Sequence, residues 1–277
     1  MSLIDIRDVV ALAVQAGEAI VEVYERHDFG VETKGDGSPL TLADRRAHQC
    51  IEAGLGRLTP DIPLLSEESG RSAFENRHRW DRFWMVDPLD GTREFIRRNG
   101  EFTVNIALIT DRRPVLGVVH SPVLGMTHFA TLESGAFRIG ADGTQTPVAV
   151  RRRDPSETVM VASRSHAGGA VGSYRENLER LAGPVTLASM GSSLKICLVA
   201  EGRADIYPRL GPTSEWDTAA AHCVLEAAGG CVVRLDGTPL VYNKPDILNP
   251  WFLACGDPEF DWRAPAEGIE EPDFPVP

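Results

Sequence analysis

In the stretch WMVDPLDGTREF, residues 84–95, a run of bulky apolar residues stops abruptly at an acidic one. The run Phe83–Val86 is typical of a buried strand, and Asp87 follows it directly. A proline and a glycine then predict a tight turn that brings Asp90 back toward Asp87. Two adjacent carboxylates resist ionising together unless a cation lies between them. One aspartate alone would indicate a polar turn, but the whole block D-P-x-D-G-T favours a metal site.

Two further groups of acidic residues lie beside apolar segments elsewhere in the chain. In LLSEES, residues 64–69, apolar residues lead into Glu67 and Glu68, and a solvated turn is an equally good interpretation of that pair. Asp217 stands just before an apolar-periodic helix; taken alone it is more often a helix N-cap, a role compatible with binding metal. Because the combined set consists of carboxylates without His or Cys, it favours Mg²⁺, Mn²⁺ or Ca²⁺ over zinc or copper.

The net charge of the chain bears on the same hypothesis. It is −12, which disfavours nucleic acid and anionic membranes as generic partners. A phosphate ester binds such a protein only where the local charge is reversed, and bound divalent ions would become the dominant local charges. Several carboxylates fit a site for two or three ions, in which one ion activates water and another stabilises the leaving oxygen. The sequence therefore predicts a metal-dependent phosphatase.

The segment KGDGSPLTLAD, residues 34–44, allows two interpretations. Thr41-x-x-Asp44 matches a helix capping box, in which the side chains cap the helix and do nothing else. In the alternative, Asp44 and Thr92 orient the attacking water. Other nucleophile schemes find no support, since the chain contains no G-x-S-x-G, no Walker A loop and no H-E-x-x-H.

Length and composition indicate an ordinary globular protein of one large domain or two modest ones. The 277 residues are 43% hydrophobic and 25% charged. No apolar run approaches the roughly eighteen residues of a membrane span, and we expect no signal peptide. The five cysteines are scattered without a C-x-x-C pair, which indicates reduced thiols, a cytoplasmic location and no zinc site.

Hydrophobic periodicity and turn residues predict an α+β part followed by an α/β part, an α/β protein as a whole. Gly17 lies on the apolar stripe of the first predicted helix, where a glycine lets another element pack close. The predicted helices are 3–27, 41–58, 174–181, 193–201 and 218–228. The predicted strands are 102–109, 114–122, 125–132 and 135–139, as an antiparallel meander, and then 157–163, 204–207, 231–235 and 251–255. We predict two domains, 1–150 with most metal ligands and 151–277 with Asp217 and substrate contacts, and a loosely held tail over 264–277.

Three motifs, in order, resemble those of the lithium-sensitive, Mg²⁺-dependent inositol monophosphatase superfamily. They are an E-E pair, the D-P-[IL]-D-G-T block, and a late W-D before a helix and Gly-Gly, present here as Glu67-Glu68, Asp87–Thr92 and Trp216-Asp217 with Gly229-Gly230. The resemblance covers nearly the whole chain and implies the layered α/β/α/β/α sandwich of sugar and nucleotide phosphatases. The metal ligands that it implies, for two or three Mg²⁺ ions, are Glu67, Asp87, the carbonyl of Leu89, Asp90 and Asp217. It implies that Asp44 and Thr92 activate the water.

Longer segments resemble the CysQ-type 3′(2′),5′-bisphosphate nucleotidases within that superfamily. These segments are residues 87–109, 191–222 and 242–250, the last reading YNKPDILNP. The resemblance implies removal of the 3′-phosphate of adenosine 3′,5′-bisphosphate, giving AMP and phosphate, and leaves open whether the phosphosulfate is also a substrate. The chain departs from this type at Arg93, where a Lys is common; the change keeps the charge but alters the geometry of a phosphate contact.

The segment before the late W-D distinguishes sugar from nucleotide substrates. Inositol phosphatases of the superfamily carry a Glu there that binds sugar hydroxyls, whereas this chain has Tyr207-Pro208-Arg209. A guanidinium binds phosphate bidentately and a Glu would repel it, so Arg209 favours a second phosphate. The surface charges expected to take no part are Arg97 and Arg98. The expected substrate contacts are Gly91, Thr92, Arg93, Ser192, Ser193, Lys195, Arg209 and Asp217.

Two other functions stay open at this point. One is an inositol or other sugar monophosphatase of the same superfamily, and the other is a non-catalytic nucleotide- and metal-binding protein. The expected partner is a small nucleotide bisphosphate, with no nucleic acid and no transmembrane segment. The expected assembly is a monomer or a homodimer. The resemblance suggests a cytoplasmic protein, with peripheral association at the inner face of the membrane as an option that no segment demonstrates.

Overall fold

The computed structural model describes residues 4–26, 32–33, 39–162 and 169–272, with 32–33 and 39–40 described by their backbone alone. Residues 34–38 of the segment KGDGSPLTLAD and the end of the predicted tail therefore lie outside the described residues. No helix in the described ranges is long and apolar enough to cross a membrane. All five cysteines have free thiols, as the scattered spacing predicts.

The first half of the chain forms a two-residue ladder and a large sheet. The ladder pairs β1 (Glu32–Thr33) with β2 (Pro39–Leu40). The sheet has the strand order β3-β4-β5-β6-β7-β8-β9 and is antiparallel except for the parallel pair β3–β4. Its strands are β3 (Leu64–Ser66), β4 (Arg82–Asp90), β5 (Thr103–Thr110), β6 (Arg113–Ser121), β7 (Met126–Thr131), β8 (Gly135–Ile139) and β9 (Gln145–Pro147). The predicted meander is confirmed as β5 to β8.

The second half forms a mixed five-stranded sheet with the order β11-β10-β12-β14-β13. Its strands are β10 (Thr158–Ala162), β11 (Val185–Ser189), β12 (Ile206–Arg209), β13 (Cys231–Arg234) and β14 (Phe252–Cys255). β10 runs parallel to β11 and β12, while β14 runs antiparallel to β12 and β13. β11 has no sequence prediction because only part of it is apolar and its side chains are half-buried or exposed.

The described residues contain seven α-helices. They are α1 (Ile6–Tyr24), α2 (Leu42–Leu58), α3 (Arg71–Asn76), α4 (Thr92–Ile96), α5 (Ala170–Ala182), α6 (Leu194–Ala200) and α7 (Ala219–Ala227). Short 3₁₀ turns lie at Arg77–Arg79, Glu215–Asp217 and Ala264–Ala266. The short helices α3 and α4 escape sequence prediction because each is too short to show a helical apolar stripe. α5 begins before its predicted start at residue 174.

The helices and sheets stack in five layers. α1 and α2 cover one face of the large sheet, and α6 and α7 lie between its other face and the small sheet. α5 covers the outer face of the small sheet. Strand β4 shows the reason for the apolar run in the sequence: Trp84 packs toward α1 and α2 while Met85 packs toward α6 and α7. A strand buried on both faces reads as continuously apolar. The predicted α/β/α/β/α sandwich is thus confirmed.

The close packing expected at Gly17 is present. A Cβ at this position would lie 2.6 Å from His120 Cδ2, so only glycine lets α1 approach β6 this closely. The proposed division into 1–150 and 151–277 falls between the two sheets, but one core runs from Phe83 of the large sheet through α7 to Val232 of the small one. Two separate domains therefore stay a prediction.

Candidate active site

Three aspartates from two distant parts of the sequence converge at one edge of the large sheet. One carboxylate oxygen from each of Asp87, Asp90 and Asp217 lies within 4.8 Å of the others. Asp87 and Asp90 come from the end of β4, and Asp217 comes from the 3₁₀ turn that precedes α7. That turn packs against β4 and β5, which brings the late W-D of the sequence to the D-P-x-D-G-T block.

A bulge in β4 directs the two acids of the block to the same side. Residues three apart in a regular strand point to opposite faces of the sheet. Here Asp87 pairs with Asn105 and Asp90 pairs with Thr103, so three steps on β4 match two on β5. The extra residue re-aims the side chain, which is what a β-bulge does. The strand therefore continues to Asp90, whereas the sequence predicts that it stops at Asp87 and turns.

Glu67 joins the three aspartates from the neighbouring strand. β3 pairs in parallel with β4, with Ser66 opposite Val86, so the residue after each strand lies beside the other. The backbone N–H of Glu67 donates to the carbonyl of Val86 at 3.1 Å. Its carboxyl group hydrogen-bonds to that of Asp87. Parallel pairing, which the sequence does not reveal, thus delivers the E-E motif to the site.

The electrostatics of this group favour a cation. Burial, followed by repulsion from Glu67, Asp90 and Asp217, raises the pKa of Asp87 well above its usual range. Burial and then the charges of Asp90 and Glu67 raise the pKa of Asp217 to about 8. Such carboxylates keep their charges together only when a positive ion compensates them. Since every donor is a carboxylate oxygen, the group fits Mg²⁺ rather than zinc or copper.

Asp217 is not the helix N-cap that the isolated motif would indicate. It is the third residue of a capping box whose N-cap is Ser214, and its Oδ2 accepts from the N–H of Ser214 at 2.9 Å. The acid is held by the 3₁₀ turn and not by the first turn of α7. This leaves its carboxylate at the side of the turn that faces Asp90.

The two residues expected to activate water lie at two helix starts. Thr41 caps α2, and Asp44 Oδ2 accepts from Thr41 N at 2.7 Å, so the capping box is confirmed. Asp44 is buried as well. Thr92 is the first residue of α4, and its Oγ1 donates to the carbonyl of Leu89 at 3.4 Å. Helix α4 contacts β2, the strand that leads into α2, so the two helix starts are neighbours.

A cavity of about 180 Å³ adjoins the acids and is lined by cations. Arg93, Arg97, Lys195 and Arg209 line it together with Gly91, Ser192, Ser193 and Asp217. Arg97 is thus at the cavity, whereas the sequence indicates only a surface charge. The other expected surface charge, Arg98, lies against Tyr24 instead.

Two of these cations are held in place by the protein. Lys195 is buried, donates to the carbonyl of Ser192 at 2.6 Å and lies 5.5 Å from the centre of the Tyr207 ring. Arg209 donates through Nη2 to the carbonyl of Pro212 at 2.6 Å. Its Nε is buried and has no hydrogen-bond partner among the described residues. An unpaired buried donor calls for an explanation, and an anionic ligand in the cavity that Arg209 lines would give one.

Two backbone N–H groups at residues 191–193, where the substrate contacts Ser192 and Ser193 are expected, already have partners in the protein. The N–H of Gly191 donates to Glu101 Oε2 at 2.7 Å, and the N–H of Ser193 donates to Asp90 Oδ2 at 2.6 Å. Ser192 lines the cavity with a positive φ of 49°. Of the two serines expected to contact substrate, Ser192 is placed to do so, while Ser193 is buried and turned toward Asp90.

Asn105, a buried amide beside the acids, is not among the residues that the sequence predicts for the site. Its Nδ2 donates to Ser193 Oγ at 2.8 Å, and it pairs directly with Asp87 across the sheet. The one sequence signal is an amide inside the otherwise apolar strand FTVNIALI, residues 102–109. A buried polar side chain in a core strand needs a partner, and here the partner belongs to the site.

Comparison with protein families gives a match over residues 5–254 to the model of the inositol monophosphatase family. The chain belongs to the inositol monophosphatase family. Its conserved fold is also found in solved structures. A crystal structure of CysQ from Bacteroides thetaiotaomicron is 42% identical, with a TM-score of 0.81 and coverage of 91% of this chain and 97% of that one. The extragenic suppressor protein SuhB from Bartonella henselae is 26% identical, with a TM-score of 0.73 and coverage of 95% and 99%.

Relatives in the inositol monophosphatase family extend over most of the chain. The 3′(2′),5′-bisphosphate nucleotidase CysQ of Escherichia coli O6:H1 is 49% identical over 246 residues, which are 88% of this chain and 96% of that protein. The protein of the same name from Haemophilus influenzae is 37% identical over 263 residues, with coverage of 94% and 95%.

Proposed function

We propose that this chain is a Mg²⁺-dependent phosphomonoesterase that removes the 3′-phosphate of adenosine 3′,5′-bisphosphate, giving AMP and phosphate. The single observation that carries the proposal is the acidic cluster of Asp87, Asp90 and Asp217 beside a cation-lined cavity. A relative named 3′(2′),5′-bisphosphate nucleotidase, 49% identical to this chain, supports the choice of substrate. The corresponding phosphosulfate is proposed as a second substrate.

The acids would hold the metal. The proposed ligands are Glu67, Asp87, the carbonyl of Leu89, Asp90 and Asp217, for two or three Mg²⁺ ions. When bound, the ions supply charge neutralisation, an activated water and stabilisation of the leaving oxygen. The protein holds these ligands at fixed positions, since Asp87 accepts from the N–H of Leu89 at 3.0 Å and Asp90 from the N–H of Ser193.

We propose that Asp44 and Thr92 orient the attacking water. Thr92 donates its hydroxyl proton toward the carbonyl of Leu89, which leaves its oxygen free to accept a proton from water. In the proposed relay the Thr92 hydroxyl turns its one proton from the carbonyl of Leu89 to Asp44 and gives it up as its oxygen takes a proton from the water. Asp44 then holds one proton more, the Thr92 hydroxyl is restored, and the water has become hydroxide. The adjacency of α4 and β2 supports this pairing.

The cations of the cavity favour a bisphosphate over a sugar monophosphate. Arg209 has a spare buried N–H, and Lys195 and Arg93 add positive charge on the same wall. The acid nearest to the W-D motif, Glu215, is fully buried and its carboxylate binds the ammonium of Lys244. It is therefore not free to bind sugar hydroxyls. We propose that the second phosphate of the substrate lies against Arg93, Lys195 and Arg209, with Gly91 and Ser192 at the same wall.

The proposal is tested by measuring phosphate release from a small panel of substrates, with and without Mg²⁺ and Li⁺. The panel contains adenosine 3′,5′-bisphosphate, the phosphosulfate, inositol 1-phosphate and 3′-AMP. We expect the bisphosphate to have the highest kcat/KM, no turnover without Mg²⁺, and inhibition by Li⁺. Preference for inositol 1-phosphate would identify a sugar phosphatase instead. Nucleotide binding without phosphate release in Mg²⁺ would indicate a non-catalytic binding protein.

We also propose where the protein is located and how it assembles. Free thiols at all five cysteines support a cytoplasmic protein. A monomer or a homodimer is proposed, and sedimentation of the purified chain distinguishes them.

A further inference from the structure

Ser193 is within hydrogen-bond distance of two members of the acidic cluster, Asp90 and Asp217. Its Oγ lies 2.7 Å from Asp90 Oδ2 and 2.7 Å from the backbone carbonyl of Asp217. Its N–H also donates to Asp90 Oδ2, at 2.6 Å. Asp90 and Asp217 are on different elements, and Ser193 lies just before a third, α6. One residue therefore fixes the separation of two acids that the chain places 127 positions apart, from 90 to 217.

Asn105 determines how the Ser193 hydroxyl is oriented. A serine hydroxyl has one proton, and it accepts through its lone pairs. Because Asn105 Nδ2 donates to Ser193 Oγ at 2.8 Å, a lone pair is occupied and the proton is left for Asp90 or for the carbonyl of Asp217. Asn105 Nδ2 also lies 3.5 Å from Asp90 Oδ2. The N–H₂ group of Asn105, which carries the positive end of the amide dipole, therefore faces the negative carboxylate of Asp90.

Both side chains are too buried to act from the solvent. Asn105 is 1% exposed and Ser193 is 3% exposed. Asn105 lies in β5 with its neighbours Val104 and Ile106 packed toward the opposite face, against α1 and α2. An amide buried between apolar strand positions costs stability unless it is hydrogen-bonded, and here only its Nδ2 has partners among the described residues. The two partners of the Asn105 amide among the described residues are Asp90 and Ser193.

We propose that Asn105 and Ser193 form a positioning pair that sets the spacing of Asp90 and Asp217 for metal binding. The inference rests on the proposed function and deepens it, because it assigns Ser193 to the metal site and not to the substrate. Partners that orient metal ligands typically change metal affinity or activity by about 10- to 100-fold when removed. The pair acts as one unit: without Ser193, Asn105 has no means of orienting the hydroxyl.

The test is a calorimetric titration of the purified full-length chain with Mg²⁺, repeated with Mn²⁺ and combined with phosphate-release kinetics. The variants are Asn105→Ala, Ser193→Ala and the double variant. The matched control is Val104→Ala, a fully buried residue on the same strand that faces α1 and α2. We expect each single variant to weaken Mg²⁺ binding by about 10-fold or more. The double variant should be no weaker than Ser193→Ala, and Val104→Ala should bind Mg²⁺ like the unmodified chain.

Three outcomes would overturn the pairing. Unchanged Mg²⁺ affinity in both single variants would refute the proposal that Asn105 and Ser193 position the metal ligands. Additive losses in the double variant would show that Asn105 does not act through Ser193. If Ser193→Ala raises the KM for the bisphosphate at saturating Mg²⁺ and leaves the metal affinity unchanged, Ser193 contacts the substrate and does not position the metal ligands. If Asn105→Ala does not fold, Ser193→Ala, which removes one hydroxyl, still tests the metal affinity.

The titration also separates this inference from the proposed reaction. A chain that binds Mg²⁺ in an Asn105-dependent way but releases no phosphate would refute the proposed function alone. Phosphate release with Mg²⁺ affinity independent of Asn105 and Ser193 would refute the positioning pair alone.

Discussion

Replacement of Asp90 by asparagine should stabilise the metal-free protein while it abolishes turnover. Asn is nearly isosteric with Asp and keeps an oxygen for the N–H of Ser193, which bonds to Asp90 at 2.6 Å. Its amide group would face Asp87 and Asp217 in place of a third negative charge. The folded state therefore loses repulsion, but the metal loses a charged ligand.

The size of the stabilisation follows from the spacing of the acids. Two unit charges 4.8 Å apart repel by about 3.5 kcal/mol at an effective dielectric constant of about 20. Proton uptake makes the actual repulsion smaller. Burial and the neighbouring Asp90 and Glu67 raise the pKa of Asp217 to about 8, so this carboxyl group is largely protonated and uncharged at neutral pH without metal. We expect a net gain of about 1 to 2 kcal/mol without Mg²⁺, which raises Tm by roughly 2 to 6 °C in a chain of this size.

The assay is thermal unfolding of both proteins with and without Mg²⁺, together with phosphate release from the bisphosphate. At 100 times its Kd, Mg²⁺ should raise the free energy of unfolding of the unmodified chain by about 2.7 kcal/mol, and its Tm should rise accordingly. Mg²⁺ should have little effect on the Tm of Asp90→Asn. Asp61→Asn, at an exposed position, serves as the control for the change in net charge. A variant that is less stable without metal, still gains Tm with Mg²⁺ and still turns over would refute the assignment of Asp90 to a metal site.

Three further predictions concern the substrate, the core and pH. Arg209→Glu should raise the KM for the bisphosphate far more than for a monophosphate, and equal effects in steady-state kinetics would show that Arg209 does not contact the second phosphate. Gly17→Ala should destabilise the fold by about 1 to 3 kcal/mol in urea unfolding, because the new Cβ would lie 2.6 Å from His120 Cδ2; unchanged stability would contradict the tight contact of α1 with β6. Burial lowers the pKa of His120 to about 4, below its usual 6.5, so the unfolded chain binds the extra proton and stability falls as pH drops through that interval. The loss should reach about 3 kcal/mol by pH 4, and His120→Gln should reduce this part of the pH dependence in urea unfolding at several pH values.

Much of the fold was predictable because its elements have local sequence signals. The apolar stripe of α1, the capping box at Thr41 and the turns of the β5–β8 meander all depend on residues close together in the chain. The elements without a prediction, such as α4 and β11, are short or half-exposed, so they show no clear periodicity. Their positions are set by tertiary contacts, which outweigh local propensity.

The candidate site likewise has features that the sequence predicts and features that depend on the tertiary structure. The motifs indicate which acids converge. They do not indicate the bulge between Asp87 and Asp90, which places both side chains on the same side of the strand. Nor do they indicate the parallel pairing that brings Glu67 to Asp87. Both depend on strand register, and a register is set by the whole sheet rather than by four or five residues.

The hydrogen bonds that hold the acids show why the sequence predicts Ser193 as a substrate contact but not its bonds to Asp90. Each aspartate of the cluster accepts a backbone N–H: Asp87 from Leu89 at 3.0 Å, Asp217 from Ser214 at 2.9 Å, and Asp90 from Ser193 at 2.6 Å. The first two donors lie two or three residues away, inside recognisable turn and capping patterns. The third lies 103 residues away on another layer of the sandwich. Fixed donors orient carboxylates before any cation binds, so the acids with local donors are oriented by their own turns. Asp90 is instead oriented by the assembled fold, and its geometry should be the first to fail when the contact between Ser193 and Asn105 of β5 is disturbed.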